Sequence, residues 1–542
     1  MKKLLTLLLA ALYLASCGKT HTIEYPAMES YDSFRVHKIE LTDSATIIHA
    51  GAYAFEEYWF RLQGDKGEYY LAGRTTGNRY QLLGIEGIEL NKKYTIDASG
   101  VLLFTLRFEP VAKEDKAVDM VLDGSESLNI RGLSLQQPEI TRPRRIKGEV
   151  VSDKTKAVIL IRDDLFQTAQ SIESFGTVIP LIDGKFQIDI PTEGDDFYTL
   201  IAWEQHIRGS MSTCEFIVAE KEVDIVCDFE EMSNSVVSGE INHAIKALKQ
   251  RAQAVADPYD KQLEELEEQG FYFSDVANDI LARAETESDR DKALALYAEL
   301  RNLPDSVKYC KEYWAVASQQ LKADTEMART ILEEAVAAPS LVYINFVYQL
   351  YYYLQYGDQY GLYNEIMQAA ELYAEKFATN NKGRELAEKI ESAKIKVGSE
   401  YIDFEAPDMA GQMFRFSEMT KGSRIVILDM WASWCGPCRR AAMKNIPIYE
   451  KYKDKGMCVV SIARESKNTN ALKKAVEQDG YTWPVLVELN DRLNLWIKYN
   501  IGNAAGGIFI IDPATKKIIA IGPSTEESEA LVKEYCESSL CK

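Results

Sequence analysis

Apolar and polar residues alternate with a period of two through much of residues 20 to 140, in runs such as VLLFTLRF and SLNIRGLSL, with Asp123-Gly124 between two of them. That alternation predicts half-buried strands and an all-β region. The phrase QQPEITRPRR, with two prolines and clustered arginines, predicts a linker. A second β region follows from Ile146 to about Gly239, with runs GEVVSD, AVILIRDD and VIPLIDGKFQIDI, the last folded at Asp183-Gly184 as a type I′ turn. It predicts a small antiparallel sandwich. From about Asn242 to Lys396 the spacing becomes helical, as in DKALALYAEL and MARTILEEAVAA, with Gly, Asn and Pro at the breaks. Beyond that, strand and helix patterns alternate: RIVILDMW, RRAAMKNIPIYEKYK, MCVVSIA, NALKKAVEQDG, WPVLVEL, RLNLWIKY, GGIFIID and KKIIAIG. A last helix opens on a Ser524 to Glu527 capping box. Alternation of this kind predicts an α/β domain.

The predicted fold class is therefore multidomain: N-terminal all-β regions, a central α-helical region and a C-terminal α/β domain. The boundaries fall at 17–140, 141–240, 241–397 and 398–542, after a leader at 1–16. A chain of 542 residues calls for such a division, because single cores stop growing near about 250 to 300 residues. With 46% hydrophobic and 27% charged residues, the composition supports packed cores. The 83 acidic against 62 basic residues give a net charge of -21, which repels phosphate backbones and excludes nucleic acid as the partner.

The first residues, MKKLLTLLLAALYLASCGK, place two lysines before an apolar run of about a dozen residues and then small residues, as a signal peptide does. The run is shorter than the roughly 20 residues that span a bilayer. Its end, Leu14-Ala15-Ser16-Cys17, resembles the lipobox of bacterial lipoproteins. The resemblance implies lipidation of Cys17, a bilayer as partner, and a place in the cell envelope facing the periplasm.

In an oxidising compartment the remaining cysteines become candidates for disulfides. Cys214 and Cys227 lie in CEFIVAEKEVDIVC, two β runs around a turn near Ala219 to Glu222, with Phe216, Val218, Val223 and Ile225 on one face. A hairpin would set the two cysteines opposite each other, as a cross-strand disulfide or as two buried thiols. Cys536 and Cys541 are placed to bridge the end of the last helix, and Cys310 and Cys458 read as core thiols. The tyrosine-dense segment YINFVYQLYYYLQYGDQYGLYNEIM reads as interhelical packing with hydroxyls toward solvent, or as an aromatic binding platform.

The chemistry lies in RIVILDMWASWCGPC, a strand-length apolar run ending in a CxxC motif, with Pro437 suited to the first turn of the following helix. This spacing sets Cys435 at a helix N-terminus, where unpaired N–H groups and the helix dipole favour a thiolate. Cys438 lies one turn inside, close enough to close a disulfide on Cys435 and shielded from outside attack. Exchange then runs through a mixed disulfide: Cys435 attacks and Cys438 resolves. Half of a zinc site is the competing reading of a lone CxxC. No second CxxC lies at zinc-ribbon spacing and the last of five histidines is His243, so no metal and no cofactor is expected.

LDMWASWCGPC closely resembles thioredoxin, with Gly436 and Pro437 as the dipeptide between the cysteines and Trp431 and Trp434 matching the family's tryptophans. Asp429 falls where that family keeps a buried acid, which implies a proton acceptor for Cys438. With the upstream FEAPDMAGQMFRFSEM, residues 400 to 542 resemble the TlpA/ResA-like branch of thioredoxin-fold proteins, found in Bacteroidetes as lipoproteins with β and helical domains ahead of the redox domain. Two departures stand out. Where the family carries a cis-proline in its substrate groove, alignment on FIID sets Gly506, or Ala505 if the loop has no extra residue. The family's Glu and Pro after CGPCR are replaced, since Arg440 is followed by Ala441, Ala442 and Met443.

The Gly-Pro dipeptide is that of thioredoxin, whose potential is about -270 mV, against about -120 mV for strong oxidants. The expected activity is thus a membrane-anchored thiol-disulfide reductase. Its substrates would be protein or small-molecule disulfides and dithiols, and a membrane thiol carrier would donate its electrons. The alternatives are a disulfide oxidase or isomerase, or a redox-impaired lipoprotein that binds a peptide or glycan.

Overall fold

A computed structural model describes residues 20–537 except 29–33, 54–56, 60–68, 90–91, 123–124, 138, 141, 167–171, 173–174, 192–193, 467 and 502–505. Cys17, Ala505, Cys541 and the Asp123-Gly124 turn lie outside the described residues. Ser238–Ala393 form one compact unit, and the described residues on either side of it form the other. Among the described residues, no helix is long and apolar enough to cross a membrane.

The first β region is an eight-stranded antiparallel sheet with a separate two-stranded pair, Glu57–Trp59 against Lys93–Thr95. The order in the larger sheet runs from His21–Glu24 through Phe34–Leu41, Thr46–Tyr53, Val101–Phe108, Arg79–Glu86, Tyr69–Gly73 and Ala117–Leu122 to Ser125–Ser134. Period-two alternation buries one face, where Ile39, Ile48, Leu71, Leu106 and Met120 are fully enclosed.

The second β region is a pair of four-stranded sheets over a shared core. It corrects the expectation of a purely antiparallel sandwich, because Pro143–Val150 pairs in parallel with Glu222–Cys227. It also corrects the hairpin assigned to Cys214 and Cys227. Thr213–Val218 pairs with Asp196–Ala202 in one sheet, while Glu222–Cys227 lies in the other. The chain thus changes sheets at the turn. Asp183-Gly184 behaves alike: both residues take positive φ and Ile182 and Lys185 exchange backbone hydrogen bonds, yet Thr177–Pro180 and Lys185–Pro191 belong to different sheets. Period two reports which face is buried and not which strand lies beside it, so a sandwich corner and a hairpin look alike in sequence.

Cys214 and Cys227 are thiols outside any disulfide, both buried, meeting across the sandwich core. Their mutual hydrogen bond and burial push the Cys227 thiol well above its ordinary range. Neither thiol should react with a neutral alkylating reagent in the native protein, and both should react after denaturation, as read by peptide mass mapping. Labelling of Cys227 in the folded chain at pH 8 would contradict this packing.

In the other compact unit, helices run Glu240–Glu268, Asp275–Thr286, Arg290–Asn302, Lys311–Ala337, Ile344–Tyr353, Tyr363–Lys376 and Asn381–Ser392. Cys310 is not a core thiol: its sulfur caps the Lys311–Ala337 helix, accepting from the Tyr313 N–H at 3.4 Å and donating to the Phe271 carbonyl at 2.8 Å. The tyrosine segment divides. Tyr348 bonds Glu385 and Tyr351 bonds the Lys389 carbonyl, whereas Tyr353 and Tyr356 are exposed.

The redox region is a five-stranded sheet in the order Val485–Leu489, Met457–Glu465, Ile425–Trp431, Gly507–Asp512, Lys517–Ile521. The first three strands are parallel and the last two antiparallel to their neighbours. The central strand Ile425–Trp431 is buried at every residue, as its unbroken apolar pattern requires of a strand covered on both faces. Val426, Leu428 and Met430 pack toward one layer and Ile425 and Ile427 toward the helices Gly436–Tyr452 and Thr525–Glu537. Ser524 and Glu527 close the expected capping box reciprocally, at 2.8 and 3.1 Å. The helix expected over RLNLWIKY shrinks to Leu495–Lys498, because Asn490, Asp491 and Asn494 all take left-handed backbone before it.

Candidate active site

The central strand delivers the chain to the site. After Trp431, residues 432–434 lead to Cys435, the N-cap of helix Gly436–Tyr452, with Pro437 in the first turn. Cys435 and Cys438 close a disulfide with Cα atoms 5.3 Å apart. The Cys438 backbone N–H points at the Cys435 sulfur at 3.1 Å. That donor and the helix terminus both favour negative charge on the Cys435 sulfur.

One expectation is reversed in this oxidised form. Cys435 is only 5% exposed, while Cys438, expected to be shielded, is partly exposed. Capping geometry accounts for it: the Cys435 sulfur turns inward over the first-turn amides, and Cys438 sits on the helix flank against the cluster of Trp431, Leu472 and Val485. Trp434, beside the pair, is 51% exposed.

Asp429 lies two residues before Trp431, and so on the same sheet face. It is 3% exposed, and burial pushes its carboxyl up to about 7 against one opposing hydrogen bond, from Ser461 Oγ at 2.9 Å. Gly506 enters the next strand so closely that a Cβ there would lie 2.1 Å from the Met430 carbonyl oxygen.

Two supports were not legible in the sequence. Glu465, at the end of the neighbouring strand, accepts from the Ser433 N–H at 2.8 Å and its hydroxyl at 2.9 Å, pinning the segment before Cys435. Burial raises its carboxyl. Arg439, next to Cys438, forms a bidentate pair with Asp479, both contacts at 2.7 Å. Asp479 also accepts from the Tyr481 hydroxyl at 3.0 Å, and the Tyr481 ring meets Trp431 edge-on at 5.0 Å. Nothing marks Glu465 or Asp479 in sequence, since each is one acid among 83 and its partner is supplied by the fold.

The model of the AhpC/TSA family matches residues 397–520. The chain is 30% identical over 150 residues to the thiol-disulfide oxidoreductase ResA of Geobacillus kaustophilus, covering 27% of this chain and 80% of that one. It belongs to the ResA-type thiol-disulfide oxidoreductases. ResA of Geobacillus thermodenitrificans is similarly related, 30% identical over 151 residues, while ResA of Bacillus thuringiensis is matched over 56% of its length at 28% identity. Among solved structures, the thioredoxin domain of a thiol-disulfide oxidoreductase from Bacteroides vulgatus is 22% identical, with 26% of this chain and 99% of that chain covered and a TM-score of 0.24. As a ResA-type protein the chain is an oxidoreductase of dithiols and disulfides, and the likeness spans its C-terminal quarter.

Three buried carboxyls of this ResA-type domain, Asp429, Glu465 and Glu488, are raised by burial and give its stability a pH dependence. Burial pushes Glu488, like Asp429, up to about 7, although Glu488 accepts the N–H groups of Leu493 and Leu495. Between about pH 4 and 7 the folded state holds protons that the unfolded chain has released. Their contribution to stability is full below about pH 4 and is lost as the pH rises through about 7, by an amount on the order of a few kcal/mol for a group raised that far. The unfolding midpoint of the domain should be higher at pH 5 than at pH 8, and Asp429→Asn should reduce that difference. A midpoint that rises from pH 5 to pH 8 would contradict it.

Proposed function

We propose that this chain is an envelope thiol-disulfide reductase in which Cys435 attacks, Cys438 resolves and Asp429 accepts the Cys438 proton. The observation that carries this reading is the cysteine pair at the N-cap of a helix whose sheet face also holds a buried acid. In reduction, the Cys435 thiolate attacks a substrate disulfide and expels one substrate thiolate. Cys438 then passes its proton to Asp429, and its thiolate attacks the Cys435 sulfur of the mixed disulfide, expelling the second substrate thiolate and closing the Cys435–Cys438 bond. An acid titrating near 7 can take that proton at neutral pH, which a carboxylate near 4 does less readily.

Gly436-Pro437 between the cysteines supports the reducing direction, with a potential near about -270 mV. A lipidated Cys17 would hold the chain on the membrane, and a membrane thiol carrier would return it to the dithiol. Trp434, Gly436 and Pro437 would form the face that a substrate meets, with Ala505 and Gly506 at the groove.

The test is reduction of insulin disulfides by the pre-reduced full chain, with the potential measured against glutathione. Turnover and a potential well below about -150 mV are expected. A potential above that value would make the chain an oxidase, and no turnover would favour the binding-module reading. Loss of lipid labelling in Cys17→Ala would test the anchor.

A further inference from the structure

Asp429 is held by a two-step hydrogen-bond chain. Trp483 Nε1 donates to Ser461 Oγ at 2.7 Å, and Ser461 Oγ donates to Asp429 Oδ2 at 2.9 Å. The direction is set by chemistry. An indole N–H can only donate, so it occupies a lone pair of the serine oxygen, and the single hydroxyl proton is directed to the carboxylate. Ser461 stands directly across from Asp429 on the neighbouring parallel strand. All three side chains are buried. A lone hydroxyl between Val459, Val460, Ile462 and Ala463 costs free energy unless its bonds are made, and here both are.

Among the described residues, the groups on Asp429's side of the sheet supply it no second donor. Helix Gly436–Tyr452 brings Cys435 and Cys438, and the helix Thr525–Glu537 contributes Cys536 to the same side. The opposite neighbour strand presents Ile508, and helix Asn470–Asp479 presents Leu472 and Ala475. Tyr481, which feels the Asp429 charge, has its hydroxyl engaged by Asp479, and that acid is paired with Arg439. Among the described residues, no cationic side chain bonds Asp429. A charge-assisted hydrogen bond from Ser461 is thus the counterweight to burial.

We propose that Ser461, oriented by Trp483, is a positioning residue that keeps Asp429 ionisable beside the redox pair and so sets the pH at which the resolving step runs. This rests on Asp429 being the proton acceptor. Without the serine proton, the carboxylate would face burial alone, and its ionisation would require a higher pH. The limb read in kinetics belongs to the coupled Asp429 and Cys438 groups.

The experiment is the pH profile of insulin reduction by the full-length protein from pH 5 to 9. Ser461→Ala should move the acid limb up by about one to two pH units, the size expected for one hydrogen bond to a charged group, with the plateau rate retained. Ser461→Thr, which keeps a hydroxyl, should restore the limb. Asp429→Asn should remove it, and Asp429→Asn with Ser461→Ala should match Asp429→Asn alone. If Asp429→Asn removes the limb while Ser461→Ala leaves it in place, this proposal fails and the role of Asp429 stands. If Asp429→Asn leaves the limb unchanged, the role of Asp429 fails and this proposal with it. Should Ser461→Ala not fold, Trp483→Phe decides the matter: an upward shift supports the proposal and an unmoved limb overturns it.

Discussion

Cys438→Ala is expected to turn the protein from a turnover catalyst into a trap. Its Cys435 would still attack a disulfide, but nothing inside the protein would release the product, so a mixed disulfide should accumulate on Cys435. Cys435→Ser should form no such adduct and should lose at least about 100-fold of the insulin-reducing rate, because a serine hydroxyl stays protonated at this helix end where a thiol would ionise. Non-reducing mass spectrometry after exposure to a disulfide substrate reads both results. The partly exposed position of Cys438 in the oxidised form makes the experiment informative about order. If the adduct instead accumulates in Cys435→Ala, on Cys438, the roles are exchanged, and exposure outweighs the helix terminus.

The second large effect concerns Gly506. A methyl group there would stand 2.1 Å from the Met430 carbonyl oxygen and 3.1 Å from the Trp431 Cα. Both are backbone atoms of the fully buried central strand, so neither can swing aside as a side-chain tip would. Gly506→Ala should therefore destabilise the redox domain by about 1 to 3 kcal/mol, the range for an overpacked core site, and should displace the strand Gly507–Asp512 from its place against Ile425–Trp431. Denaturant unfolding followed by tryptophan fluorescence checks it, since Trp431, Trp434, Trp483 and Trp496 all report on this domain. An unchanged midpoint with unchanged insulin reduction would mean that the strand entry yields at little cost. The same contact revises how this departure from the family is understood. At the position that alignment on FIID sets against the family's cis-proline, Gly506 permits an approach that no residue with a Cβ can make without displacing its neighbours.

Both effects concern residues visible in the sequence. WCGPC after a strand-length apolar run is a local signal, because a thiolate needs a helix terminus and a resolving thiol needs one turn of spacing. Asp429 was legible for a similar reason, as an acid inside an otherwise apolar strand has no inexpensive place to sit. Glu465, Asp479, Ser461 and Trp483 were not, because their value lies in partners distant along the chain. Glu465 meets Ser433 and Trp483 meets Ser461 only when parallel strands bring them together.

What the sequence by itself determined was the periodicity of each region, the turn at Asp183-Gly184, the capping box at Ser524 and the CxxC at a helix start. All are set by interactions within a few residues. Tertiary structure alone decided that Cys214 and Cys227 meet across two sheets instead of within a hairpin, that Cys310 caps a helix, and that Cys435 is the more enclosed residue of the redox pair. It also decided that a serine and an indole stand behind Asp429. Burial pattern is a property of one strand and its two faces, whereas strand neighbours, capping partners and the surroundings of a buried acid depend on which segments the whole fold places side by side.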